Sequence, residues 1–238
     1  MTALIRQLDM ELFGGCNYKC VMCPQGTVQG REKEFKKALT WRNFCKIVDD
    51  AISHGVEVIS LHGGGEPTLH KRFIDCIKYI KDRDIKCTTL SNGYTLDDRL
   101  IAQIAESGID VFKISVIGYD AETYRASIQK DAFNQVRESV KRLVEATSKT
   151  NTRIESQHLI LDSNNKAFEV KSLITNWVNY TGIDAEIWLM HNWSGVYSGP
   201  YTRRKENRRG CGRPFRPMLQ VRAGGLNNQQ GAVVACCM

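Results

Sequence analysis

Residues Cys16-Asn17-Tyr18-Lys19-Cys20-Val21-Met22-Cys23-Pro24 place three thiols within eight positions, spaced C-x3-C-x2-C. The run follows an alternating segment, Leu8, Met10 and Leu12, that reads as a first β-strand. Three neighbouring cysteines cannot pair among themselves without leaving one over, and they fall one short of a four-thiolate zinc site. They can hold three corners of a [4Fe–4S] cube. Such clusters normally have four cysteine ligands, so an iron left open is a place for catalysis before it is a structural device.

The remaining composition limits the classes of function. A chain of 238 residues suffices for one large domain, or one domain with a small appendage. Apolar residues make up 42% and charged residues 25%, ordinary values for a globular protein. No run approaches the roughly 18 apolar residues of a membrane span, and Asp9 and Glu11 interrupt any signal-like layout at the start. Nine cysteines without a secretion signal point to a reducing compartment, and the expected location is cytoplasmic. The net charge of +7 is concentrated: residues 203–216 hold seven basic residues and one acidic one. That stretch is either a solvated linker or a contact for an anionic substrate. A nucleic-acid partner would call for a broader basic face with interleaved aromatics.

Read in order, the chain alternates strand and helix. Thr40 caps a helix carrying Phe44, Ile47, Val48, Ala51 and Ile52, and Val56 to Leu61 is a strand. Helix, strand and helix follow through Phe73–Ile80, Cys87–Leu90 and Leu100–Ala105. Val111–Val116 is a strand, Phe133–Val144 a helix, Ile154–Leu161 a strand, Val170–Val178 a helix and Glu186–Met190 a sixth strand. Six such units predict an α/β fold with a parallel sheet and right-handed crossovers, two units short of a closed (β/α)8 barrel. Chemistry in such folds collects at the carboxyl ends of the strands. There lie the cysteine run, His62 to Pro67, Ser91-Asn92-Gly93, Ser115, and His191-Asn192-Trp193, with Gln157 and His158 inside the fifth strand.

Taken together, the cysteine spacing and Gly64-Gly65-Glu66-Pro67, some 40 residues further on, resemble the radical S-adenosylmethionine (SAM) superfamily. The resemblance implies a partial (β/α)6 TIM-like barrel over about residues 1–200. It implies a [4Fe–4S] cluster on Cys16, Cys20 and Cys23 whose open iron binds SAM, and reductive cleavage of SAM to a 5′-deoxyadenosyl radical that abstracts hydrogen from an unactivated C–H bond. An external electron donor of flavodoxin or ferredoxin type is implied as a partner. Gly64, Gly65 and Glu66 would hold the methionyl amino group, which is physically reasonable: glycine admits close approach and a carboxylate suits an ammonium. Met22 would lie near the adenine, Ser91 and Asn92 would contact SAM or substrate, and Ser115 would reach its ribose and carboxylate. The chain departs from the family in having Ile128-Gln129 where an arginine often follows the tyrosine; Arg125 lies one turn earlier. No catalytic residue is assigned. His62, His158 and His191 are acid–base candidates or structural residues, and Cys45, Cys76 and Cys87 read as small buried hydrophobes.

The tail changes character. From Cys211 two short apolar runs flank a Gly/Asn turn and end at Cys236 and Cys237. This resembles the start of a SPASM or Twitch extension, which implies a basic linker plus the start of that module over residues 201–238, with a short β-hairpin and Cys211, Cys236 and Cys237 as candidate ligands of a second [4Fe–4S] cluster. Adjacent cysteines do not readily serve one cube together, so one of the pair is expected to be a bystander. The resemblance implies a peptide or a sugar or aminocyclitol as substrate, the basic stretch favouring an anionic one. Two other readings stay open on the residues alone: a structural zinc or iron–sulfur protein, and a redox-sensing module with reactive thiols.

Overall fold

The computed structural model describes residues 5–23, 37–190, 217–223 and 231–234. Strands β1 (Gln7–Met10), β2 (Val58–Leu61), β3 (Lys86–Ser91), β4 (Val111–Val116), β5 (Arg153–Ile160) and β6 (Ala185–Leu189) lie side by side in chain order, every pair parallel. Helices α1 (Trp41–Ser53), α2 (Phe73–Lys81), α3 (Asp98–Glu106), α4 (Ala121–Ile128), α5 (Phe133–Thr147) and α6 (Lys166–Leu173) lie in the crossovers, and α6 runs on through a π-turn at Ile174–Val178. The expected partial barrel is what the chain forms. No helix among the described residues is long and apolar enough to cross a membrane.

Local chemistry sets the boundaries. Thr40 Oγ1 accepts from the Asn43 N–H at the start of α1, and the Asp97 carboxylate accepts from Leu100 N–H at the start of α3. Each satisfies an amide that the first helical turn leaves without a partner. The pattern of apolar residues gave no sign of α4, because only Tyr124, Ser127 and Ile128 of it are buried. Its signature is a capping box instead: Asp120 accepts from Thr123 N–H, and Thr123 Oγ1 accepts from the Asp120 N–H.

The tail supplies a hairpin, β7 (Met218–Arg222) and β8 (Ala232–Val234), paired antiparallel. The hairpin joins the barrel sheet: β7 runs parallel to β1, from Gln7 opposite Met218 to Met10 opposite Val221. The eight-stranded order is therefore β6-β5-β4-β3-β2-β1-β7-β8.

The two faces of this sheet differ in kind. One is apolar and covered by helices: Leu8, Met10, Ile59, Leu61, Phe112, Ile114 and Val116 belong to a single core with Phe44, Val48, Phe73, Ile77, Val136, Val140 and Trp177. Burying each such side chain contributes about 1.5–3 kcal/mol, which decides the face the helices cover. Because strand residues alternate, the other face carries Gln7, Asp9, Ser60, Thr88, Lys113, Ser115, Glu155, Gln157, Glu186 and Gln220. Lys113 pairs across it with Glu155 at 3.3 Å and Glu186 at 3.1 Å.

Candidate functional site

The thiol-bearing loop leaves β1 at the carboxyl rim, with Cys16, Cys20 and Cys23 each partly buried. Two hydrogen bonds dock it on the end of α4: Lys19 N–H donates to Ile128 O at 3.3 Å and Val21 N–H to Ser127 O at 2.9 Å. Tyr18, between the first two cysteines, is buried, and its hydroxyl meets that of Tyr124 on α4 at 3.2 Å. Met22 is 1% exposed and packs in the core beneath the loop. Cys16 Sγ receives the Tyr18 N–H at 3.4 Å and the Asn92 Nδ2–H at 3.7 Å. Burial pushes the Cys16 thiol up to about 11 in spite of these donors, and raises Cys20 further.

The glycine-rich turn after β2 is wedged against this loop. A Cβ on Gly63 would stand 2.5 Å from the Glu11 side chain, and one on Gly65 would stand 2.0 Å from the Phe13 carbonyl oxygen. Neither space admits a side chain. The glycines are dictated by this close approach, and two hydrogen bonds fasten it: Glu66 N–H to Gly15 O at 2.8 Å and Gly64 N–H to Glu11 Oε2 at 2.6 Å.

Glu66 is the hub. It is 3% exposed, and its Oε1 accepts from Thr68 N–H, Thr68 Oγ1–H and Ser91 Oγ–H, at 3.2, 2.6 and 2.7 Å. Oε2 accepts from Asn92 N–H at 2.8 Å. Burial raises the pKa of this carboxyl, and the hydrogen bonds from Thr68, Asn92 and Ser91 oppose the shift. A carboxylate oxygen has two lone-pair directions, so Oε2 can take one further donor beyond Asn92. Asn92 in turn donates Nδ2–H to Asn17 Oδ1 at 2.7 Å, closing a loop of contacts from the cysteine run through the strand-three turn to Glu66. Ser115 lies apart from this hub, half-buried on the polar face opposite Gln157.

The structure thus brings Cys16, Gly64, Gly65, Glu66, Ser91 and Asn92 together, and this donor set fits the expected groups. Among the described residues no three Cys, His, Asp or Glu side chains converge on a single-ion site. A cube, whose thiolates sit on separate irons, does not ask for that. Cys211, Cys236, Cys237, residues 203–216 and His191 to Trp193 lie outside the described residues. His158 is a core residue, fully buried between Val116 O at 3.0 Å and Glu169 Oε1 at 2.9 Å. His62 faces the polar side instead, with Ser60 Oγ at 2.9 Å and Asp9 Oδ2 at 3.7 Å. Arg125 is exposed on α4 and lines a shallow surface cavity of about 460 Å³ with Glu122, Gln129 and Lys130. Cys76 and Cys87 are buried, with thiol pKa values raised by burial.

Sequence reasoning passed over Glu11. Its carboxylate, 2% exposed, accepts from Gly64 N–H and from Ala223 N–H at 3.1 Å, and pairs with Arg222 at 3.5 Å. One buried acid ties the exit of β1 to the glycine turn and to the end of β7. The sequence carried no signal for it: the alternation of Leu8, Met10 and Leu12 puts Glu11 on the polar side with Gln7 and Asp9, where a carboxylate is ordinary.

Comparison with known proteins agrees with this geometry. The family model of the radical SAM superfamily matches residues 10–164, well over half of the chain. The chain is 32% identical over 113 residues to the tungsten-containing aldehyde ferredoxin oxidoreductase cofactor-modifying protein of Pyrococcus furiosus, covering 47% of this chain and 31% of that one. It is 26% identical over 141 residues to a “Probable GTP 3′,8-cyclase” of Methanococcus maripaludis, covering 59% and 46%. Streptococcus suis SuiB, solved with its precursor peptide SuiA, superposes with a TM-score of 0.64 at 17% identity, covering 82% of this chain and 41% of SuiB. This chain therefore spans less than half the length of each of these relatives. The thiol loop, the glycine turn locked against it and the parallel sheet beneath make this chain a member of the radical SAM superfamily, an enzyme class whose members use a [4Fe–4S] cluster and SAM.

Proposed function

We propose that this chain binds a [4Fe–4S] cluster through Cys16, Cys20 and Cys23, and SAM through Gly64, Gly65, Glu66, Ser91, Asn92 and Ser115, with Met22 backing the site. When bound, these groups supply a hydrogen-abstracting radical, directed here at an unactivated C–H bond of a peptide or small polar molecule. The carrying observation is the Glu66 hub, which links the thiol loop and the strand-three turn and keeps one acceptor direction on Oε2. An ammonium donor suits that direction. The residues do the positioning: Asn92 and the Tyr18 amide direct N–H groups at Cys16 Sγ, and hydrogen bonds to cluster sulfurs tune reduction potential.

The substrate lies, in this reading, over the polar face of the half-barrel. A relative named “Probable GTP 3′,8-cyclase” and a structural neighbour solved with its precursor peptide support both small-molecule and peptide classes. The basic stretch 203–216 supports an anionic substrate. Residues 201–238 would be a basic linker and the start of a SPASM or Twitch module, with Cys211, Cys236 and Cys237 as candidates for a second cluster. A flavodoxin- or ferredoxin-type donor would supply electrons, and the nine cysteines favour a reducing cytoplasm.

The test is anaerobic reconstitution, with iron per chain and 5′-deoxyadenosine measured after dithionite. Wild type is expected to cleave SAM, and a variant with Cys16, Cys20 and Cys23 all changed to Ala is expected to cleave none. Iron kept by that variant, near half of wild type, supports the second cluster; loss of all iron removes it. Zinc in place of iron, without SAM cleavage, overturns the reading.

A further inference from the structure

On the polar face one side chain stands out. Gln220 of β7 is 3% exposed, and neither its Oε1 nor its Nε2 has a hydrogen-bond partner. Buried polar groups nearly always have one, and a whole carboxamide without any is a costly exception. Arg137 Nε and Trp177 Nε1 are also without partners. Arg137, however, uses its other nitrogens on Asn176 O and Asn134 Oδ1, and Trp177 lies in the helix-covered core. Gln220 alone of the three leaves an entire head group unmatched, and it does so on the polar side of the sheet.

Strand register sets its surroundings. Gln220 is level with Asp9, Asp9 with Ser60, and Ser60 with Thr88, so the four share one face in one row. The others are engaged. Thr88 Oγ1–H donates to Ser60 Oγ at 2.9 Å, Ser60 Oγ meets His62 Nδ1, and Gln7 Nε2–H donates to Asp9 Oδ1 at 2.7 Å. The row is therefore a held polar wall in which, of these four side chains, Gln220 alone is unpaired, its buried carboxamide lying between Asp9 and Val234 of β8.

We propose that Gln220 is a substrate-recognition residue that pairs edge to edge with a cis-amide group, accepting one hydrogen bond at Oε1 and donating one from Nε2. The proposal rests on the reading that substrate lies over the polar face. A backbone peptide group is trans and puts its C=O and N–H on opposite sides, so it cannot satisfy both atoms at once. Two sources offer the required edge: the side-chain carboxamide of a peptide substrate, and the lactam edge of a nucleobase. Their chemistry at Gln220 is the same, and it separates a recognising residue from a structural one. A structural glutamine stabilises the fold, whereas an unmatched one held for a ligand costs stability until the ligand arrives.

The experiment uses anaerobically reconstituted full chain with SAM, titrated calorimetrically with GTP and, separately, with acetyl-Gly-Gln-Gly N-methylamide. Wild type is compared with Gln220→Leu. One probe is expected to bind wild type and to bind Gln220→Leu at least tenfold more weakly; which probe does so identifies the source. Without probe, Gln220→Leu is expected to melt at a higher temperature than wild type, a shift that a hydrogen-bonded structural glutamine would reverse. Failure of both probes to bind wild type overturns the proposal, as do equal affinities for the two proteins or a lower melting temperature for the variant. 5′-Deoxyadenosine formation by wild type is measured in the same preparations. SAM cleavage with no dependence of binding on Gln220 removes this inference alone, whereas absence of SAM cleavage removes the proposed function.

Discussion

Single side chains carry much of the site's strength. Ser91 Oγ donates to the buried Glu66 carboxylate and also accepts the Gly93 N–H. Hydrogen bonds to a charged group contribute about 1.5–3 kcal/mol, so Ser91→Ala is expected to lower unfolding free energy by about 2 kcal/mol and to weaken SAM binding. Urea unfolding and equilibrium dialysis of SAM measure the two effects. His70 is the clearest titrating residue. Its Nε2–H donates to Leu39 O at 3.0 Å and its Nδ1 accepts the Arg72 N–H at 3.3 Å, a pairing that only neutral imidazole allows. Burial lowers its pKa below the usual 6.5. The unfolded chain then binds the proton more readily than the native one, so stability is full above pH 6.5 and is lost as pH falls below it. Wild type is expected to lose stability between pH 6.5 and 5 relative to His70→Gln, as read from urea midpoints across that range.

Among the elements, the turn after β2 shows how packing dictates residue type. A methyl group at position 65 would collide with backbone, not with the far end of a flexible side chain. Gly65→Ala should therefore push the thiol loop away from the glycine turn. Overpacking of this kind costs about 1–3 kcal/mol, and the larger expected effect is reduced iron loading after reconstitution. Iron close to wild type in a folded Gly65→Ala protein would show that the contact is dispensable. Strand β1 is readable from its alternation, yet Glu11 becomes intelligible only with Gly64, Ala223 and Arg222 around it. Helix α4 escapes the periodicity for the opposite reason: its apolar stripe is too sparse, and Asp120 with Thr123 is the readable cue.

At the scale of the whole molecule, β7 closes one side of the half-barrel by pairing with β1, and Glu11 secures its end. Glu11→Ala would leave the Ala223 and Gly64 amides without their acceptor and Arg222 without this carboxylate. An expected loss of at least about 2 kcal/mol follows from the desolvated donors. Amide hydrogen exchange should speed up in residues 218–222 more than in β4. Uniform exchange across the sheet would show instead that β7 is held by its ladder alone.

The strand–helix alternation, the helix caps at Thr40 and Asp97, the three thiols and the Gly-Gly-Glu-Pro turn are all legible in the sequence by itself, because each depends on short-range pattern. Periodicity reports a face, capping reports a local hydrogen bond, and a cofactor loop concentrates its ligands within a few residues. Tertiary structure alone decided that the tail hairpin joins the barrel sheet, that Glu66 is bound by Ser91, Asn92 and Thr68, and that His158 belongs to the core while His62 faces the polar side. It alone placed Gln220 beside Asp9, a residue near the opposite end of the sequence. The physical reason is range. Strand order and register are set by burying one apolar face across distant segments, and only that arrangement determines which polar side chains meet on the other.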